Sequence, residues 1–359
     1  MSKMKIAVIY GGKSTEHEVS VHSAKDVCDI LAKKYEVLKI FIDRQGLWYL
    51  QKDCSTKIGQ EDKPVSPIIS KDANLYTKDG QHIKVDVFFP VLHGAMGEDG
   101  TIQGLFEILD VAYVGCGVLT SAMGINKEIS KLMASFYGVP IVPYIKLKKT
   151  DKYEITLLKE AVKQLGYPLF IKPVSLGSSI GVSRVDNPEE IEKAIQEAFK
   201  YDDTLLIEKG IDKAREVFCA VMGNSQGEIH TSLCGELKST NNAFFDYEAK
   251  YNITGGCDMF IPAPLDKDLQ DKMRKATYDV FKALQGNGLA RVDFLVSQDN
   301  KFYFSEINTL PGMSLTSLFP QLMEASSKKY PEVLDILINS ALARKEKQKQ
   351  LSISNEKNS

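Results

Sequence analysis

Short apolar runs alternate along the chain with stretches whose apolar residues recur every third or fourth position. "KIAVIYGG" is a strand-length run closed by glycines, and Val19, Val27, Ile30 and Leu31 follow it at helical spacing. Thr15 with Glu18 three positions later fits a capping box, which predicts a helix starting just after the glycines. "YEVLKIFI" and "VDVFFPVLHG" read as strands and "TIQGLFEILD" as a helix. This rhythm predicts a small Rossmann-like, parallel-sheet domain over residues 1–118. A helix over 119–137 leads to "GVPIVPYIKL". The second unit, 119–213, holds the strand "YPLFIKP", the Gly/Ser-rich "VSLGSSIG", the strand "VSRV", the helix "PEEIEKAIQEAFK" and the strand "TLLIEKG". A third unit spans 214–343. The remaining 344–359 are charged and poor in apolar residues, so a disordered tail is expected.

Within the third unit, "RVDFLVSQDNKFYFSEIN" alternates in the strand period on both sides of a polar "DN". A two-residue turn at Asp299-Asn300 places Asp293 opposite Glu306 and Arg291 opposite Asn308. Facing residues of an antiparallel pair stand roughly 4.5–5.5 Å apart at Cβ, and like charges at that distance weaken the sheet. Two readings satisfy the acids: water on an exposed hairpin, or a hard divalent cation held by two carboxylates and an amide beside phosphates.

Composition removes some alternatives. Of 359 residues, 43% are hydrophobic and 26% charged, which suits a soluble globular chain of two or three domains. Lys and Arg number 45 against 47 acids, so no global field points to nucleic acid or a membrane. The first apolar run is too short for a signal-peptide core or a membrane span, and a cytoplasmic location is expected. The six cysteines, at 28, 54, 116, 219, 234 and 257, form no CxxC pair and are expected to be free thiols.

Other segments carry candidate chemistry beside ordinary explanations. "GGKS" lacks the earlier glycine of a P-loop, since position 7 is alanine. Gly177 and Gly181 would let the backbone of "KPVSLGSSIGV" approach a ligand, with Ser178, Ser179 and the amides donating to phosphate; a plain connection between strands uses the same residues. Taken singly, Lys127 and Lys172 read as solvated lysines. Glu208 and Lys209 end an apolar strand where two units meet, a place where nucleotides bind or where a strand merely stops. "AFFDYEAKY" suits a lid or a packed surface loop.

Together, "GGKSTEHEVS", "LHGAMGEDGTIQG", "FIKPVSLGSSIGV", "LIEKG", "FFDYEAKY", "ARVDF", "SEINTLPGM" and "TSLFP" resemble, in order, the D-alanine:D-alanine ligases of the ATP-grasp superfamily. The resemblance implies a three-domain fold of mixed α/β and α+β class, with ATP and D-alanine as substrates and two magnesium ions, or manganese in their place. It matches Asp293, Glu306 and Asn308 to the metal ligands, Lys127 and Lys172 to the phosphate lysines, and the loop with Gly177, Ser178 and Ser179 to the one closing over the phosphates. Glu208, Lys209 and Ile211 match the adenine-binding strand, and Glu216 the ribose acid. Glu16 matches the acceptor of the first substrate's ammonium and joins Ser178 and Tyr251 in a hydrogen-bonded triad. Lys250 and Arg291 match the cations at the transferring phosphate, and the Gly312 amide matches an oxyanion donor. His93, Ser317 and Leu318 match the amino-acid pocket. A homodimer formed through the N-terminal domain is also implied.

The same resemblance leaves the second substrate open. Tyr251 favours an amine over a D-lactate hydroxyl, and Leu318 favours D-alanine, because D-alanine:D-serine ligases tend to carry arginine there. Phe245, by contrast, is shared with the D-serine group. Asn126 stands where the family usually has aspartate, and "IDKAREVF" is a residue longer than in some relatives. A catalytically silent nucleotide-binding regulator is the reading from another class.

Overall fold

The computed structural model describes residues 3–151, 155–223, 226–239 and 257–351. Phe245, Lys250 and Tyr251 lie outside them. The first sheet has eight strands: β1 (Lys5–Gly11), β2 (Glu36–Ile42), β3 (Trp48–Gln51), β4 (Lys63–Pro67), β5 (Leu75–Thr77), β6 (His82–Ile83), β7 (Val87–Pro90) and β8 (Ala112–Tyr113). Their order is β6-β5-β4-β3-β2-β1-β7-β8. Only β2-β1-β7-β8 run parallel, and β3 to β6 extend the sheet as an antiparallel meander. The parallel strands are the apolar runs of the sequence. The meander strands are only two to five residues long, too short to show a hydrophobic period.

Helix α1 (His17–Leu31) has Glu16 as its N-cap residue, one position after Thr15, and the Glu16 side chain makes no cap bond. Glu18 pairs with Arg44, at 2.5 and 2.7 Å. The first turn is fixed by Ser20, whose hydroxyl accepts from the Gly11 amide (2.8 Å) and donates to the Val91 carbonyl, tying α1 to the ends of β1 and β7. Helices α2 (Thr101–Ile108), α3 (Val118–Ile125) and α4 (Lys127–Phe136) follow. The single helix expected over 119–137 is broken at Asn126, which is extended (φ −80°, ψ 103°) and caps α4 by accepting from the Ile129 amide at 3.0 Å. Asparagine does here what aspartate would do, because either side chain offers the capping oxygen. The break places Lys127 at the start of α4.

The second sheet comprises β9 (Tyr144–Lys148), β10 (Leu169–Pro173), β11 (Ser183–Val185) and β12 (Thr204–Lys209), in the antiparallel order β11-β10-β12-β9. Helices α5 (Ile155–Lys163) and α6 (Ile191–Ala198) cover its apolar face. The third sheet contains β13 (Arg215–Gly223), β14 (Ile229–Ser239), β15 (Cys257–Phe260), β16 (Gly288–Val296) and β17 (Phe302–Asn308), ordered β15-β14-β13-β16-β17. Strand β13 is buried on both faces. Val217, Cys219 and Val221 pack under α7 (Lys267–Ala283), while Phe218, Ala220 and Met222 join the core of the first domain. That second contact is made through α8 (Leu318–Ala325) and α9 (Tyr330–Lys349).

Helix α9 corrects the expected tail, since it runs to Lys349. Arg344 donates to the carbonyls of Gly115 (2.8 Å) and Tyr113 (2.7 Å) and lies over the Tyr113 ring, while Lys345 pairs with Asp110. Charged residues extend the helix because they have partners on the first domain. Cys28, Cys54, Cys116, Cys219 and Cys234 are free thiols, and among the described residues no helix is long and apolar enough to cross a membrane.

The β16–β17 hairpin reaches the expected pairing by another route. Its loop is one residue longer than predicted: Val296 pairs with Phe302, and Asn300 adopts φ 59°. A bulge between Asp293 and Phe294 absorbs that residue, so Asp293 faces Glu306 and Arg291 faces Asn308.

Candidate active site

The second and third sheets enclose a cleft of about 1150 Å³. Asp293 and Glu306 face it from the third sheet; Lys172, Glu208 and Lys209 face it from β10 and β12; Lys127 reaches it from α4. Ser179, Ile211 and Glu216 complete the set of predicted residues on its wall. Asp293 is only 7% exposed and receives both Nε and Nη2 of Arg291, each at 2.7 Å, plus the Asn308 amide at 3.1 Å. Glu306 lies 3.1 Å from the Lys127 ammonium, which also donates to the Leu176 carbonyl in the serine loop. The facing acids are thus each compensated by a cation.

This end of the hairpin offers two carboxylates and an amide oxygen, an oxygen donor set suited to a hard divalent ion. Among the described residues no group of three or more His, Cys, Asp or Glu side chains forms a metal cage. A magnesium ion in such a place draws its remaining ligands from water and substrate phosphates, and the size of the cleft leaves room for both.

Facing the acids is a second charged group. Glu208 is 2% exposed, with Lys172 2.7 Å from Oε2 and Lys131 3.1 Å from Oε1. The contact with Lys131 is an ion pair outside hydrogen-bond angles. Burial pushes the Glu208 carboxyl up, but Lys131 and Lys172 outweigh burial and hold its pKa at about 2. Both oxygens are therefore committed, and what β12 presents to a ligand here is its backbone. Lys131 was missed in the sequence; the available signal is its spacing four residues after Lys127, on the same face of α4.

The low pKa has a stability consequence. Because the folded value lies below the ordinary 4.5, the Glu208 carboxylate stabilises the fold fully above that pH and loses its contribution as pH falls towards 2. Urea unfolding should therefore separate wild type from Glu208→Gln most at about pH 6, with the gap closing by about pH 2.5. A gap independent of pH contradicts this assignment.

In the serine loop, Ser178 and Ser179 sit at φ 53° and 58°, the left-handed region that non-glycine residues rarely enter. A Cβ at Gly177 would meet nothing within 4 Å among the described residues. Whether Ser178 joins Glu16 and Tyr251 turns on a residue outside the described ones.

A third group gathers at the ends of β1 and β7. Glu16 is buried before α1, and a Cβ on Gly94 (φ +69°) would sit 2.9 Å from its Oε2. His93 is buried with Nδ1 2.9 Å from the Leu310 carbonyl, while Nε2 has no partner among the described residues. Burial holds its imidazole below the usual range, so Nδ1–H donates to Leu310 and Nε2 is left as an acceptor. Glu98, within "GEDG" but not singled out from the sequence, is buried 4.0 Å from His93. Burial first, and Glu16 second, push its carboxyl well above the ordinary value, with Arg291 and Glu306 close enough to act on it. This cluster therefore adjoins the hairpin acids. Gly312 lets Ser317 come close, since an added Cβ would lie 2.8 Å from the serine oxygen. The Ser317 hydroxyl accepts from the Ser314 amide at 3.2 Å, and Leu318 opens α8 against the core.

Two antiparallel sheets closing on a cleft lined by lysines and carboxylates are the layout of the ATP-grasp proteins. Family profiles described as D-ala D-ala ligase N-terminus and C-terminus match residues 5–116 and 132–339. The chain belongs to the D-alanine:D-alanine ligase family. It is 43% identical over 353 residues to a D-alanine-D-alanine ligase of Thermoanaerobacter sp. (strain X514), covering 95% of this chain and 97% of that one. Among solved structures it resembles the D-alanine-D-alanine ligase of Coxiella burnetii (TM-score 0.83, 34% identity, 97% and 98% covered). It resembles equally the VanG D-Ala:D-Ser ligase of Enterococcus faecalis (TM-score 0.84, 34% identity, 95% and 100% covered).

Proposed function

We propose that the protein joins two D-alanines at the expense of ATP, through a D-alanyl phosphate, and supplies D-alanyl-D-alanine for peptidoglycan precursors. The observation carrying this reading is that Asp293, Glu306, Lys127 and Lys172 line one cleft of nucleotide size. The end of β12, with Lys209 and Ile211, would receive the adenine, and Glu216 the ribose. Lys127 and Lys172 would hold the phosphates, and Asp293, Glu306 and Asn308 would hold the magnesium ions. Bound there, the ions neutralise the phosphate oxygens as charge shifts between them.

The protein's own part is placement. Glu16 anchors the first D-alanine by its ammonium beside His93, which brings its carboxylate to the γ-phosphate. Holding two reactants in register replaces a bimolecular encounter by an effectively unimolecular one, and that supplies much of the rate. Arg291 and the Gly312 amide then stabilise charge on the transferring phosphate and on the carbonyl attacked by the second amine. Ser317 grips the second carboxylate, and Leu318 walls its methyl group. Lys250 and Tyr251 keep the family roles given above. A cytoplasmic enzyme, homodimeric through the first domain, completes the reading.

D-Serine as second substrate is the rival, favoured by the equal likeness to the VanG structure. Leu318 opposes it, because an apolar wall leaves a serine hydroxyl without a partner. Phosphate release with D-alanine, D-serine and D-lactate as second substrates decides between them. D-Alanine is expected to give the highest kcat/KM, by about tenfold or more. A preference for D-serine overturns the choice of product, and no turnover with any of them revives a non-catalytic nucleotide-binding protein.

A further inference from the structure

Helix α4 delivers two lysines one turn apart, and the proposed function uses only the first. Lys127 reaches Glu306; Lys131 goes deeper, to 1% exposure, and ends 3.1 Å from Glu208 Oε1 and 3.4 Å from the Phe304 carbonyl. We infer that Lys131 is a positioning residue for nucleotide binding, which fixes the Glu208 carboxylate and, through it, aims Lys172 at the phosphates. The inference rests on the functional reading above and deepens it.

Packing alone does not call for an ammonium at this position. A methionine would fill similar volume without the cost of burying a charge, so the charge must act through the groups it touches. Those groups belong to two different sheets. Phe304 lies on β17 two residues before Glu306, and Glu208 lies on β12 beside the expected adenine edge. One ammonium therefore touches the strand of the metal acids and the strand of the nucleotide edge.

Glu208 divides its two oxygens between two lysines. Oε1 faces Lys131 and Oε2 faces Lys172, so the carboxylate is held from both sides by charge. With Lys131 absent, both oxygens become available to Lys172, and a bidentate pairing would draw that lysine back from the cleft it lines. The effect should then scale with the phosphates of the ligand rather than with its base.

Calorimetric binding of ATP, ADP and adenosine to wild type, Lys131→Met and the double variant Lys131→Met/Glu208→Gln tests this. Lys131→Met is expected to bind ATP and ADP about tenfold or more weakly, adenosine within about twofold of wild type, with the KM for D-alanine unchanged. The double variant buries no unpaired carboxylate, so it folds even where the single variant does not, and it stays weak for ATP because nothing aims Lys172. ATP binding at wild-type strength in either variant overturns the inference. So does an equal loss for ATP and adenosine, which is what a merely structural lysine would give. Failure of wild type to bind ATP would instead overturn the functional reading.

Discussion

Glu306→Gln should lower the rate of phosphate release by about a thousandfold or more while leaving nucleotide affinity within about fivefold of wild type. The substitution keeps shape and one acceptor oxygen but removes a unit of negative charge where Asp293, Asn308 and Lys127 converge. Lys172, Glu208 and the backbone of β12 are held by their own ion pair and strand pairing and stay in place. Lys127 loses its carboxylate partner but keeps the Leu176 carbonyl, which limits the structural cost. Steady-state phosphate release with D-alanine and calorimetric titration with nucleotide measure the two halves separately. Turnover near that of wild type would show that Glu306 holds no ion.

The second large effect is expected at Arg291. Its guanidinium makes two 2.7 Å bonds to Asp293, in a pair whose side chains are 19% and 9% exposed. Removing one partner of a buried pair leaves the other charge uncompensated, at about 3–5 kcal/mol in fully enclosed sites. Asp293 borders an open cleft, so about 2 kcal/mol is expected for Arg291→Met. That loss should be confined to protein stripped of divalent ions. Magnesium with ATP returns positive charge to Asp293 and should restore most of the thermal stability, while turnover stays down by about a hundredfold or more. Thermal unfolding with chelator and with magnesium-ATP checks both statements. Equal melting temperatures for variant and wild type in chelator would mean that the pair contributes nothing to the fold.

What the sequence disclosed follows from which interactions are local. The β1 and β7 runs and the two hairpin strands are patterned by their own residues, so their apolar and polar periods reveal them. The facing of Asp293 and Glu306 was legible although the turn was misplaced, because the longer loop and the bulge at Asp293/Phe294 offset one another. The break at Asn126 was not legible: apolar residues continue through it at helical spacing, and only the cap geometry shows two helices. The helical course of 344–349 was hidden because Arg344 and Lys345 find partners more than 200 residues away. Lys131 was hidden for a related reason. A lysine among polar neighbours reads as solvated until a carboxylate from another strand is brought to it, and no local pattern encodes that meeting.

Cations and phosphates are expected to meet between Asp293 and Glu306. Diffraction from crystals grown with manganese, ATP and a phosphinate mimic of the tetrahedral intermediate tests this directly, because manganese is located by its anomalous signal. Anomalous peaks are expected beside Glu306, Asp293 and Asn308, with the phosphates reaching Lys127 and Lys172. Manganese bound elsewhere, with these acids still paired only to Arg291 and Lys127, would contradict this.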